Sequence, residues 1–370
     1  MLAAGLAVLP APHARAAGEA GLRAPTGFTV ERIATVPGAR ELAVAPNGDL
    51  FAGTGGDAIY VVPDAEKAPG EARRFVTIAD GPVAGVLLAG DTLYAAGQFG
   101  VWRIPYQSGD RAARSAPQKI ASVRPGGGGV HSTTTLALSK GTLYASVGSS
   151  CNACNETDPT RATIQAMTPD GKNMHARAVD IRNAIALAVQ PGNGDLWAGV
   201  AGRDELEHGH PYEIFDDVSA HAGTPDYGWI TCYDDRKPIG GASCSGVVLP
   251  KVIFPAYDTP IGAAFYPADA KGAYAFPASY RGGAFVTLHG SWHRPLVPPR
   301  VAFVAFKNDE PARAVDWSNP DVQWTEFGGG CQGADGSRSC RPTGVAVGTD
   351  GSLFVSDDLT GAIYRIRPRR

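Results

Sequence analysis

The chain has 370 residues, a net charge of −3 and 19% charged residues, with 47 Gly and 29 Pro. That turn-rich balance fits an all-β protein rather than a helical one. There is no Lys/Arg run, which argues against a nucleic-acid partner, and no stretch reaches the roughly 18 apolar residues of a membrane span.

Residues 1–17 read as an export signal: an apolar core from Leu2 to Leu9, then Ala14-Arg15-Ala16 as a cleavage site, without a positively charged start. The expectation is a periplasmic or secreted protein whose remainder, 26–370, is one domain. Residues 28–34 form a strand without a partner of its own.

A strand–turn–strand phrase then recurs six times, at 42–51, 86–94, 136–144, 185–198, 263–286 (with a long insertion) and 345–354. The fourth copy shows the pattern. Ile185, Leu187 and Val189 alternate with alanines, 190–195 is a turn of Pro, Gly, Asn and Asp, and Leu196-Trp197-Ala198 resumes the strand. Several copies continue into a further strand with an aromatic residue near its end, at 58–62, 100–104 and 362–366. Copies lie about 45–80 residues apart, within or above the span of a four-stranded propeller blade. The reading is a six-bladed β-propeller, with 28–34 closing the ring against 363–366. A β-sandwich of the same composition needs no repeated phrase.

The six cysteines fall in close pairs, 151/154, 232/244 and 331/340. Local pairing is the simplest of the many possible connectivities, and it fits an exported chain. Taking Cys151 and Cys154 as a redox pair wants a helix behind them, whereas a strand leads into this loop. Zinc needs a second close pair of ligands.

The first two copies, roughly 39–104, carry no evident chemistry, and 107–118 is a polar outer loop. Residues 124–135 hold four consecutive glycines followed by Val130 and His131, just before the third inner strand. The glycines let backbone approach a ligand closely, and an imidazole there can accept a proton near neutral pH. Arg182-Asn183 and Arg341 occupy the equivalent place in the fourth and sixth copies. Two guanidiniums and an amide meeting at one mouth suit a planar anion with several carboxylates. The plainer reading pairs these arginines with Asp204, Asp357 or Asp358. Gly202-Arg203-Asp204-Glu205 offers carbonyls and carboxylates to a hard cation, Ca²⁺, whereas His208 and His210 read as solvated. Residues 227–229 and 258–262 read as rim loops. The 289–294 cluster (His289-Gly-Ser-Trp-His-Arg294) adds Arg294 as a third cationic candidate. Nucleophile-elbow, P-loop and dinucleotide fingerprints are absent.

Four phrases together resemble the soluble quinoprotein glucose/sorbosone dehydrogenases, over most of the chain from about Phe28. They are His131 before the strand that runs into Ser146-Val-Gly-Ser-Ser-Cys-Asn-Ala-Cys154; Arg182-Asn183 with 202–206; His289-Gly-Ser-Trp-x-Arg294; and 341–347 with Ser356-Asp-Asp358. The local cysteine pairs are most similar to the sorbosone-like branch. The resemblance implies pyrroloquinoline quinone (PQQ) across the funnel mouth. His131 would be general base, Arg182, Asn183, Asp204, Arg294 and Arg341 would hold the cofactor, and Gly202 and Asp204 would seat Ca²⁺. It implies a sugar or sugar-aldehyde substrate and a separate electron acceptor. The chain departs from that branch at Thr134-Thr135 and at His293. Two rival functions are a calcium-dependent lactone hydrolase, which needs several carboxylates meeting on the axis, and a non-catalytic binding propeller.

Overall fold

The computed structural model describes residues 21–124, 127, 129–291 and 297–370. The export-signal expectation therefore lies outside the described residues, as do His293 and Arg294. Six four-stranded antiparallel sheets account for most of the chain. Their innermost strands are Ala39–Val44, Gly85–Ala89, Leu136–Ser139, Ala186–Val189, Pro260–Phe265 and Pro342–Val347, in blades 1 to 6. Each packs on the innermost strands of both neighbours, so the ring closes. Each is also the first strand of one of the six repeated phrases. The only helical turns among the described residues are two short 3₁₀ segments, and none is long and apolar enough to cross a membrane.

Closure is made by the N-terminal strand. Phe28–Thr35 pairs antiparallel with Ala362–Pro368, from Phe28 opposite Pro368 to Thr35 opposite Ala362. It thus becomes the outer strand of blade 6, as its lack of a local partner requires.

Six separate apolar clusters form the core, one between each pair of adjacent blades. Phe51, Phe75 and Tyr106 meet edge to face between blades 1 and 2. Trp197, Phe215 and Phe265 pack between blades 4 and 5. A twisted sheet buries one face against each neighbour, so strands such as Leu50–Thr54 and Leu196–Val200 are buried throughout. All three local disulfides form: Cys151–Cys154, Cys232–Cys244 and Cys331–Cys340.

Around one end of the ring, polar groups tie every blade to the next. Glu41 N–H donates to Ala84 O at 3.3 Å. Buried Arg124 donates to Gln98 O at 2.6 Å and Thr133 O at 2.7 Å. Thr135 Oγ1 donates to Ile185 O at 2.6 Å. Tyr257 N–H donates to Glu213 at 3.0 Å. Thr287 Oγ1 donates to Thr343 O, and Ser356 Oγ to Arg40 O at 2.6 Å. These bonds fix the rim on which side chains from different blades must meet. Thr134 and Thr135, the departures noted above, are both buried and both belong to this belt.

The expected rim loop at 258–262 is different. Asp258 is fully buried and Pro260 already starts the inner strand of blade 5. Tyr257 and Thr259 adopt φ of 69° and 55°, a conformation uncommon for side chains with a Cβ. Glu213 holds Tyr257 N–H, and Thr259 O accepts His289 N–H. The chain turns inward there because its backbone groups are claimed on both sides.

Candidate active site at the mouth of the ring

His131 sits on the segment that leads into blade 3. Ser149 Oγ lies 2.9 Å and Ser149 O 3.1 Å from its Nδ1. The Ser149 hydroxyl spends its only proton on Cys151 O, at 2.7 Å. Both groups facing Nδ1 are therefore acceptors, so Nδ1 carries the ring proton and Nε2 keeps its lone pair. Burial, reinforced by the positive charges of Arg182, Arg124 and Arg161, pushes the His131 pKa down to about 3 against the Ser149 carbonyl bond. The imidazole is neutral at physiological pH, and its Nε2 makes no hydrogen bond among the described residues.

Gly148 is what brings His131 and Asn183 together. A Cβ at Gly148 would stand 2.6 Å from the His131 Cβ and 2.5 Å from Asn183 Oδ1. Neither side chain could hold its place against any other residue there.

Arg182 is buried and committed. It donates to Asn152 O at 3.2 Å, Asn152 Oδ1 at 3.0 Å, Ala201 O at 3.2 Å and Asp204 Oδ2 at 3.3 Å. Asn152 in turn clasps the 204 backbone from both sides, accepting from Asp204 N at 2.8 Å and donating to Asp204 O at 3.1 Å. Trp229 Nε1 donates to Asn152 O at 2.9 Å. Asn152 was not singled out from sequence, and its one signal is that the Cys151–Cys154 bridge closes the loop that carries it. Gly202 N–H donates to Glu213 at 2.6 Å, and burial raises the Glu213 carboxyl to about 8 despite that bond. Arg182 thus positions the 202–204 loop and the loop carrying Asn152 rather than presenting an open fork.

Asp358 gathers a second group. Arg341 Nε donates to it at 2.6 Å, Arg40 Nη2 lies at 3.3 Å and His289 Nε2 at 3.2 Å. Burial opposes ionisation of Asp358, but His289, Arg40 and Arg341 together hold its carboxyl well below the usual carboxylate range. Burial keeps His289 below its ordinary pKa, so the neutral ring donates from Nε2–H. Both arginines are about a quarter exposed and keep further N–H donors beyond this carboxylate. Arg40 comes from blade 1, where no chemistry was expected. It is the second residue of its inner strand, close to where Arg341 stands just before its own, and that similar position was the available signal. Arg40, His131, Arg182, Asn183 and Arg341 all stand where chain enters the inner strands or, for His131, shortly before. The plainer reading of the arginines holds in part, since Arg182 pairs with Asp204 and Arg341 with Asp358.

For a cation, Asp204 keeps one carboxylate oxygen and Gly202 its carbonyl free of hydrogen bonds among the described residues. Ca²⁺ takes six to eight oxygens, so these two would supply a minority of its shell. The one group of three metal-capable side chains among the described residues is Cys151, Cys154 and Glu156, and the disulfide occupies both sulfurs. The central cavity, about 430 Å³, is lined by the inner strands with Glu41 as its single carboxylate. One acid does not make the axial calcium cluster that a lactone hydrolase needs.

A family model described as TrAA12-like matches residues 216–369, from the third strand of blade 4 through blade 6. Three solved structures share the fold across nearly the whole chain. A calcium structure of Trichoderma reesei Carbohydrate-Active Enzymes Family AA12 is 18% identical, with a TM-score of 0.78, covering 95% of this chain and 98% of that one. The holo form of the pyranose dehydrogenase PQQ domain from Coprinopsis cinerea is 17% identical, with a TM-score of 0.77 over 94% and 97%. The PQQ-bound aldose sugar dehydrogenase from Streptomyces coelicolor is 18% identical, with a TM-score of 0.62 over 93% and 99%. An uncharacterized protein of Borreliella burgdorferi is 24% identical over 212 residues, a match spanning 55% of this chain and about half, 52%, of that relative. At these identities the likeness establishes the six-bladed fold.

Proposed function

We propose that this protein is a PQQ-dependent dehydrogenase of a sugar or sugar aldehyde, of the sorbosone-like branch, acting in the periplasm or outside the cell. The carrying observation is a neutral His131 whose Nε2 has no hydrogen-bond partner among the described residues, at a mouth that also holds guanidinium donors of Arg40 and Arg341. A planar tri-anion fits these residues, because each of those arginines is held by Asp358 through one edge and keeps other donors. When bound, PQQ supplies the hydride acceptor, with a cation as Lewis acid.

The protein's own part is positional. Arg341 and Arg40, with Asn183 and Arg294, would bind the cofactor's carboxylates and carbonyls. Gly202 O and the free Asp204 oxygen would seat Ca²⁺, with Arg182 and Asn152 holding that loop in place. His131 Nε2 takes the proton of the substrate hydroxyl as its C–H bond breaks with hydride transfer. Ser149 keeps the opposite nitrogen protonated, so the lone pair always faces the mouth. A separate electron acceptor would have to take up the two electrons removed from the substrate.

The test is reconstitution. PQQ with Ca²⁺ is titrated into purified protein, followed by absorbance, and dye reduction is measured with a panel of aldoses and sugar aldehydes. His131→Ala should still take up PQQ and lose turnover. No PQQ uptake by the parent protein would end this reading.

A further inference from the structure

Beside the mouth, blade 4 carries a cavity of about 80 Å³ that shares Arg182 and Gly202 with the site above. It is several times larger than the roughly 15 Å³ that one water needs. Two charged side chains in its wall stand out. Arg203 makes no hydrogen bond or ion pair among the described residues, and its Nε is buried without a partner. Asp180, in the same wall, has a carboxyl with no hydrogen bond or ion pair among the described residues. The two do not pair with each other. Arg203 is half-buried, and a buried N–H donor without an acceptor is costly; most other arginines in and around the mouth have an acceptor among the described residues.

The remaining wall is aromatic and aliphatic, with a second carboxylate, Asp234, already committed to His210 and to the Tyr212 N–H. Trp229 is buried, with its ring nitrogen already used on Asn152. Tyr212 stacks on Trp317 with centroids 6.4 Å apart and planes 17° from parallel. Tyr212, Tyr233 and Trp317 are half-buried, so the cavity's edge reaches solvent. Aromatic faces accept the C–H face of a sugar ring, a carboxyl accepts hydroxyl protons, and a free guanidinium takes a carboxylate through two N–H donors.

We propose that this cavity is a second binding site, for a sugar acid of the aldonate or uronate class. Its carboxylate lies on Arg203, its hydroxyls donate to Asp180, and its carbon skeleton lies against Trp229 and the Tyr212–Trp317 stack. The cavity admits the carboxylate and adjoining carbons, and the rest of the sugar rests on the half-exposed rings. The site stands whether or not the mouth holds a quinone.

The experiment is calorimetric titration of the full chain, free of PQQ, with glucuronate, gluconate, glucose and acetate, alongside the tryptophan fluorescence of the same samples. Glucuronate or gluconate should bind saturably and change the fluorescence, more tightly than either glucose or acetate. Arg203→Gln should weaken the acids at least about 10-fold, Asp180→Asn should weaken them less, and Arg341→Gln at the mouth should leave them unchanged. Circular dichroism and Tm confirm that each variant is folded, and Arg203→Lys, which keeps the charge, should retain part of the binding. Acid binding that is undiminished in a folded Arg203→Gln protein, or is lost in Arg341→Gln, overturns the proposal. So does the absence of binding by both acids, or acetate binding as tightly as they do.

Discussion

Ser149 and His131 form a relay without a carboxylate: the serine oxygen accepts the Nδ1 proton at 2.9 Å while its own proton goes to Cys151 O. A carboxylate behind an imidazole would stabilise the imidazolium; a hydroxyl and a carbonyl orient the ring and add no negative charge. Ser149→Ala removes one of two acceptors and should lower kcat by about 2- to 10-fold. Ser149→Asp should raise the His131 pKa and move the acid limb of the kcat/KM profile to higher pH. Without that change the limb lies near pH 3, because the base works in its neutral form. Stopped-flow dye reduction from pH 3 to 8 reads both effects.

The same depressed pKa governs stability. Between about 3 and the ordinary histidine value of 6.5, the unfolded chain binds a proton at His131 that the native chain does not. The stabilisation is present above pH 6.5 and is lost as pH falls through this window. At pH 4.5 the loss should be about 3 kcal/mol. His131→Gln should flatten that part of the Tm–pH curve, measured by calorimetry.

Asp358 holds two arginines and a histidine from three blades. Asp358→Asn leaves two guanidiniums without their shared anion and should cost about 3 kcal/mol of stability. It should also weaken PQQ uptake, because Arg40 and Arg341 lose their common orientation. Denaturant titration and the PQQ absorbance titration report the two effects separately.

Arg182→Lys replaces a fork that spans Asn152, Ala201 and Asp204 with a point charge. Calcium affinity, read as the Ca²⁺ concentration giving half-maximal dye reduction, should weaken by about 10-fold or more. The Cys151→Ser/Cys154→Ser double variant frees the loop carrying Asn152 and should act in the same direction.

Removal of residues 21–35 deletes the strand that closes blade 6 and exposes the edge of Ala362–Pro368. Phe28 also leaves a cluster with Phe276, Tyr280 and Phe327. A large apolar side chain alone is worth about 3–5 kcal/mol in such a core, so the shortened chain should unfold or aggregate. Size-exclusion chromatography and circular dichroism distinguish this from a stable open ring.

Much of the scaffold was legible along the chain. The six repeated phrases are local, and a strand–turn–strand unit with alternating small and bulky residues folds the same way wherever it occurs. Once six such units are present, ring closure follows from the unpaired stretch before the first. Local cysteine pairing was legible for the same reason, since each pair spans a short loop.

The contacts of the mouth were decided only in three dimensions. His131, Arg182 and Arg341 could be picked out by their place before an inner strand. That Gly148 pins His131 against Asn183, that Ser149 sets the imidazole's proton, and that Arg40 joins Arg341 on Asp358 depend on blades up to 318 residues apart in sequence meeting at one rim. Pattern along a chain reports which face a residue turns to. Burial, charge pairing and the protonation of a ring nitrogen are set by neighbours that the pattern does not name.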